Sequence, residues 1–313
     1  MISKKVSAAA LVSLLLAGTA VAADAPACKT VRMFDPGWTD ISSTNAIATA
    51  LLDGLGYKAD IRTLSVPIGY KAIENKEIDV FLGNWMPAQQ RFIDTLNAAK
   101  AAEKLKENLP DAKFTLAVPT YVADAGVHDF KDLAAHADKF EKKIYGIEAG
   151  APANQSLQKM IKADDFGLKD WQVVESGEQA MLSQVARAEK QKSWIVFLGW
   201  APHPMNTKLK LTYLSGGDTY FGPNYGGATV NTIARTGWAD ACPNAAMLFK
   251  QLSFTLDIEN AMMGKIMDEG KTPTDAAKAY LKANAGLIEP WLKGVTTLDG
   301  KPGLPAVKSA LGL

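Results

Sequence analysis

The sequence predicts a two-lobed α/β fold in which the chain leaves its first lobe, builds a second and then returns. Three observations carry this. Short apolar strands alternate with amphipathic helices over most of the first 200 residues, as in a mostly parallel sheet covered on both faces. The alternation stops and restarts once, near residue 113. The only two cysteines, Cys28 and Cys242, stand far apart in the chain. In an exported protein two cysteines read by default as one disulfide, which would tie the first strand to a distant segment.

The elements follow in order. Residues 1–22 read as a secretory signal peptide: Lys4 and Lys5 at the start, an apolar core from Ala8 to Leu16, and the small-residue site Ala20-Val21-Ala22. Cleavage after Ala23 is an alternative. The apolar core is shorter than the ~20 residues a membrane span needs. Ala25-Pro26-Ala27 before Cys28 is not a lipidation signal. The mature chain is therefore expected to be soluble and periplasmic.

Thr30–Phe34 is then a strand, Ser42–Leu55 an amphipathic helix ended by Gly56, and Ala59–Leu64 a strand. Pro67–Asn75 is a short helix, Ile78–Leu82 a strand and Pro87–Ala102 a helix. After the restart come strands at Phe114–Val118 and Lys143–Ile147, a helix at Pro152–Lys162 and a strand at Gln172–Glu175. A helix at Glu178–Glu189 and a strand at Ile195–Leu198 complete that run. Leu209–Leu214 and Ala228–Ile233 read as strands that cross back, and the chain from Pro243 is mainly helical, with Thr272-Pro273 a start signal. The expected division is lobe I from 23–112 and 214–313, and lobe II from 113–213.

Composition narrows the function. Without Lys4 and Lys5 the 34 basic residues become 32 against 33 acidic ones. No basic block interleaves with aromatics, which excludes nucleic acid as an expected partner. The three histidines, His128, His136 and His203, share no metal-ligand spacing, and no nucleophile elbow, phosphate loop or dinucleotide fingerprint is present. The expectation is a binding protein without metal or cofactor rather than an enzyme.

The informative residues are aromatic. Phe81-Leu82-Gly83-Asn84-Trp85-Met86-Pro87 and Phe197-Leu198-Gly199-Trp200-Ala201-Pro202 are near copies, and Val31-Arg32-Met33-Phe34-Asp35-Pro36-Gly37-Trp38 is a looser third. Each reads as a strand, a glycine turn and a tryptophan in a loop, with Pro87 and Pro202 suited to a first helical turn. In open α/β sheets ligands bind beyond the carboxyl ends of the strands, so Trp38, Trp85 and Trp200 could converge there. A desolvated cation gains ~2 kcal/mol over an indole face. Three faces give ~6 kcal/mol of the ~8 kcal/mol of micromolar binding. Trp171, Trp194, Trp238 and Trp291 sit in ordinary amphipathic segments and read as core.

Asp40 either balances a ligand's charge, accepts from its hydroxyl, or caps the helix that follows. His203 either faces the cleft or, as favoured here, braces the loop. At Glu148-Ala149-Gly150-Ala151-Pro152-Ala153-Asn154 a strand meets a helix, so amides of Gly150, Ala151, Ala153 and Asn154 could hold an anion. Asn154 could equally cap that helix.

These motifs, with Gly37-Trp38-Thr39-Asp40, Pro202-His203-Pro204-Met205-Asn206, Tyr213-Leu214-Ser215-Gly216-Gly217-Asp218 and Phe221-Gly222-Pro223, resemble the periplasmic choline-binding proteins. These are glycine-betaine/choline substrate-binding proteins of ABC importers, and the resemblance runs over the mature chain. It implies a type II-like periplasmic binding protein fold, with two mixed sheets flanked by helices and the ligand in the interlobe cleft. It implies a monomer that closes like a flytrap and delivers a quaternary ammonium (choline, glycine betaine or carnitine) to a permease. It also implies an aromatic box of Trp38, Trp85 and Trp200, with Asp40 beside it and a Cys28–Cys242 disulfide. Where the choline pattern has a Tyr this chain has Phe114, with Tyr121 as an alternative fourth wall; where the pattern has an Asn it has Ala151. Space at Ala151 beside the turn amides favours a ligand that also carries a carboxylate. The alternatives are an exported enzyme on a small cationic substrate, or an amino-acid receptor of the same architecture.

Overall fold

In the computed structural model, residues 24–313 are described, so the signal segment read over 1–22 lies outside the described residues. β1 (Thr30–Asp35) and β2 (Lys58–Thr63) pair in parallel around the crossover helix α1 (Thr39–Gly54). Helix α2 (Val66–Glu74) leads to β3 (Val80–Met86), which is buried along almost its whole length. A strand covered on both faces must be apolar throughout rather than alternating, and Val80-Phe81-Leu82 meets that demand. Phe81 stacks on Phe34 at 3.9 Å, joining the two strands' faces in one core.

After α3 (Gln90–Ala98) comes the 18-residue strand β4 (Ala102–Pro119). It pairs antiparallel with β9 (Gly227–Arg235) as far as Lys113, and with β7 (Phe197–Ala201) from Lys113 onward. β8 (Leu211–Tyr213) pairs with its end. The remaining strands, β5 (Lys143–Tyr145) and β6 (Gln172–Val174), lie parallel beyond β7. Hydrogen bonding among the described residues is therefore continuous through nine strands, eight of them in the order β2-β1-β3-β9-β4-β7-β5-β6 and the ninth, β8, on β4. The expected two separate sheets are joined because β4 spans both lobes, bending through three register shifts between Lys104 and Ala112.

Leu214 donates to the Leu116 carbonyl at 2.9 Å, and Phe221 packs edge-on against Phe114 and Phe130 of the second lobe. The chain then runs past β4 through residues 222–227 into β9. There Gly226 has φ +71°, and a Cβ on it would lie 1.8 Å from the Phe114 carbonyl oxygen, so only glycine lets the two segments approach.

Second-lobe helices α4 (Pro152–Lys162) and α5 (Glu178–Gln191) precede β6 and β7 respectively. At the end of the chain α6 (Pro243–Gln251), α7 (Leu256–Met267), α8 (Pro273–Ala283) and α9 (Gly303–Leu311) return to the first lobe, and α7, α8 and α9 pack on α1. Thr272 caps α8 by accepting from the Asp275 N–H at 3.1 Å. Cys28 and Cys242 form the disulfide, across 214 residues. Buried Asp24 adds a second tie, accepting from the N–H groups of Asn244 and Ala245, both at 2.9 Å.

Candidate functional site

Trp85 and Trp200 belong to the strands rather than to loops after them. Trp85 pairs with Val230, and Trp200 with Phe114, in antiparallel ladders. Pro87 and Pro202 follow cis peptide bonds, and the next helices begin only at Gln90 and Met205, so neither proline opens a helix. Ladder pairing is what delivers the rings. Directly opposed residues present their side chains on one face, so Phe114 and Trp200 stand side by side. Trp38 arrives differently, as the N-cap residue of α1. Asp40 therefore lies in the first helical turn and is not the cap.

These side chains meet in a cleft between the lobes. Trp38, Asp40 and Trp85 line it from the first lobe, and Phe114 and Trp200 from the second. Ala88, Gln89, Ile147, Pro152, Ala153, Leu198 and Gly199 complete the wall. The four rings are 6–9% exposed, so each offers the cleft one small patch while the rest is held by packing. Trp85 and Phe114 meet edge to face at 6.3 Å and 85°.

Both first-lobe indoles are fixed by carboxylates. Trp85 Nε1 donates to Asp40 Oδ2 at 3.1 Å, and Trp38 Nε1 donates across the cleft to Glu148 Oε2 at 2.9 Å. The other oxygens, Asp40 Oδ1 and Glu148 Oε1, are buried without a partner in the protein. Burial, reinforced by the charge of Glu178, pushes the Asp40 carboxyl up to about 8. Burial likewise pushes Glu148 up to about 7, with the Trp38 N–H pulling the other way. Burial raises Asp35 and Glu259 too, the latter with help from Asp40. Among the described residues that line the cleft, Asp40 is the only ionisable one, and none is a lysine or arginine.

The other expected positions serve the frame. His203 is buried behind Trp200, edge-on at 4.8 Å. Its Nδ1 accepts from the Met205 N–H at 3.0 Å, so Nε2 carries a proton and donates to Glu178 Oε1 at 3.2 Å. It braces and does not line the cleft. Tyr121 is also away from it: its hydroxyl donates to the Ser193 carbonyl at 2.5 Å, leaving Phe114 as the fourth ring. Asn154 is consumed by the turn, accepting from Ile147 N–H and donating to the Ile147 and Glu148 carbonyls. The Ala151 N–H donates to the Glu148 carbonyl at 3.1 Å, and the Gly150 carbonyl accepts from Gln155. Ala151 itself is buried at the N-cap of α4.

Trp171, Trp238 and Trp291 are buried in the core, whereas Trp194 is half-buried, with Lys139 Nζ 4.1 Å over its ring. Sequence reasoning missed Gln89, Glu148 and Glu178. Glu148 stood in the very turn singled out, where only the amides drew notice. Nothing local marks Glu178 apart from other acidic residues at helix starts.

The profile of the substrate-binding domain of ABC-type glycine betaine transport systems matches residues 29–283. The chain belongs to this family. A solved structure described as an ABC-transporter choline binding protein in complex with choline is 54% identical, over 92% of this chain and 100% of that one, with a TM-score of 0.91. An unliganded semi-closed form of such a protein is 55% identical over the same shares, with a TM-score of 0.85. The glycine betaine/carnitine transport binding protein GbuC of Listeria monocytogenes is 33% identical over 172 residues, 54% of each chain. The protein is thus a substrate-binding protein of an ABC transport system, with the two-lobed fold of that class. No helix among the described residues is long and apolar enough to cross a membrane.

Proposed function

We propose that this binding protein works in the periplasm, captures a quaternary ammonium ligand without a carboxylate, choline above all, and hands it to the permease of an ABC importer. One observation carries the reading: three indoles and Phe114 from both lobes converge on a cleft whose only ionisable lining group, among the described residues, is an acid. A quaternary ammonium has no N–H to donate, so ring quadrupoles attract it where polar side chains cannot. Water excluded by lobe closure strengthens that attraction. Asp40 Oδ1, unpartnered, is free to accept from a ligand hydroxyl.

The cleft supports choline over the expected ligand with a carboxylate. The Ala151 amide and the Asn154 side chain of the turn at Ala151 are engaged internally, and Glu148 in the same turn, bonded to Trp38, repels an anion when ionised. Choline is also the ligand of the 54% identical relative. Calorimetric titration with choline, glycine betaine, carnitine and proline betaine tests this. Choline should bind at least tenfold tighter than the three others; a betaine or carnitine binding as tightly as choline overturns it.

A further inference from the structure

Glu178 is a buried carboxylate that pairs with no lysine or arginine among the described residues, yet it collects donors from both lobes. Its Oε2 accepts from the Thr39 backbone N–H at 2.9 Å, and its Oε1 from the Thr39 hydroxyl at 2.6 Å. The same Oε1 takes the proton-bearing Nε2 of His203 at 3.2 Å. Thr39 is 139 residues away in the chain and stands between Trp38 and Asp40, two residues of the cleft wall. His203 lies edge-on against Trp200, on the opposite wall.

From this geometry we propose that Glu178 is a positioning residue, an interlobe latch that sets the two aromatic walls in register and holds the closed cleft shut. Thr39 is the first residue of α1, and its N–H is one of the donors a helix start leaves without an intrahelical partner. Opening the lobes pulls Glu178 away and returns that N–H to water. The latch bonds are charge-assisted and roughly twice as strong as neutral ones. They exist only when the lobes meet, so their loss acts on ligand release rather than on capture. Glu148 on Trp38 Nε1 makes a second cross-lobe bond one residue away, so two second-lobe carboxylates grip the start of α1.

Two readouts test the latch, one without ligand. In the ligand-free protein, hydrogen exchange at the Thr39 amide should be at least tenfold faster in Glu178→Ala than in wild type. Amides in the middle of α1, such as Ala48, should be unchanged. Glu178→Gln, whose Oε1 can still accept from Thr39, should recover part of the protection. In stopped-flow experiments with choline, Glu178→Ala should raise the dissociation rate at least tenfold and leave the association rate within twofold. That second readout rests on the proposed choline binding. Wild type that fails to bind choline refutes the ligand and leaves the exchange measurement to decide the latch. Should Glu178→Ala not fold, Thr39→Val removes the hydroxyl bond alone and should raise the dissociation rate at least threefold. Thr39 exchange equal in wild type and Glu178→Ala, or an unchanged dissociation rate in the variants that fold and bind, overturns the proposal.

Discussion

Capture of a cation in this cleft should expel a proton. Asp40 is buried with a single side-chain donor, Trp85 Nε1, and its carboxyl is pushed up to about 8. At pH 7 a group with a pKa of about 8 keeps its proton in about nine molecules of ten. A trimethylammonium roughly 5 Å away, at an effective dielectric constant of about 20, favours the ionised form by ~3 kcal/mol. That is worth ~2 pKa units and brings the occupied-state value to about 6, below neutral pH. Binding at pH 7 therefore releases ~0.8 proton from Asp40, plus a fraction from Glu148, which is pushed up to about 7. The sign follows: the bound state prefers the ionised acid, so affinity rises with pH between about 6 and 8, by up to ~100-fold, and then levels off. Titration calorimetry at pH 7 in phosphate and in Tris checks it. The apparent enthalpy should differ by the released protons times the difference in buffer ionisation enthalpy. Asp40→Asn retains an acceptor for Trp85 and should lose most of that difference. Identical enthalpies in both buffers, with an affinity flat from pH 6 to 8.5 while binding still saturates, would refute the reasoning.

Replacing Trp38, Trp85 or Trp200 by Ala should each weaken choline binding by ~1–3 kcal/mol. Trp85→Ala belongs at the upper end because it also strips Asp40 of its donor; Trp171→Ala should lower the melting temperature and leave affinity near wild type. Normal binding by two of the three cleft variants would contradict the aromatic box. Reducing Cys28–Cys242 should lower the melting temperature without abolishing binding, since the link ties two first-lobe segments away from the cleft. For so long a loop the chain-entropy figure is roughly 4–5 kcal/mol as an upper value, and an unchanged melting curve after verified reduction would count against it.

The sequence by itself carried the local structure and the aromatic character of the cleft. Strand and helix positions came from period and turn residues, and α4 at Pro152–Lys162 matches its expected bounds. The repeated strand–Gly–Trp wording pointed to the three tryptophans that line the cleft among seven, although Trp85 and Trp200 reach it from within ladder-paired strands rather than from loops beyond them. Local periodicity could not find the first half of β4. Ala102–Asp111 is rich in charge, and it is a strand only because β9, more than 100 residues later, lies along it. Tertiary structure alone chose Phe114 over Tyr121, because the cross-strand register sets Phe114 opposite Trp200 while the Tyr121 hydroxyl bonds at Ser193. It alone brought Glu148 to Trp38 and Glu178 to Thr39, across 110 and 139 residues. A carboxylate at a helix start looks the same in sequence whether it meets water or a second lobe. Only closure of the lobes decides which, by removing the water and supplying the donor.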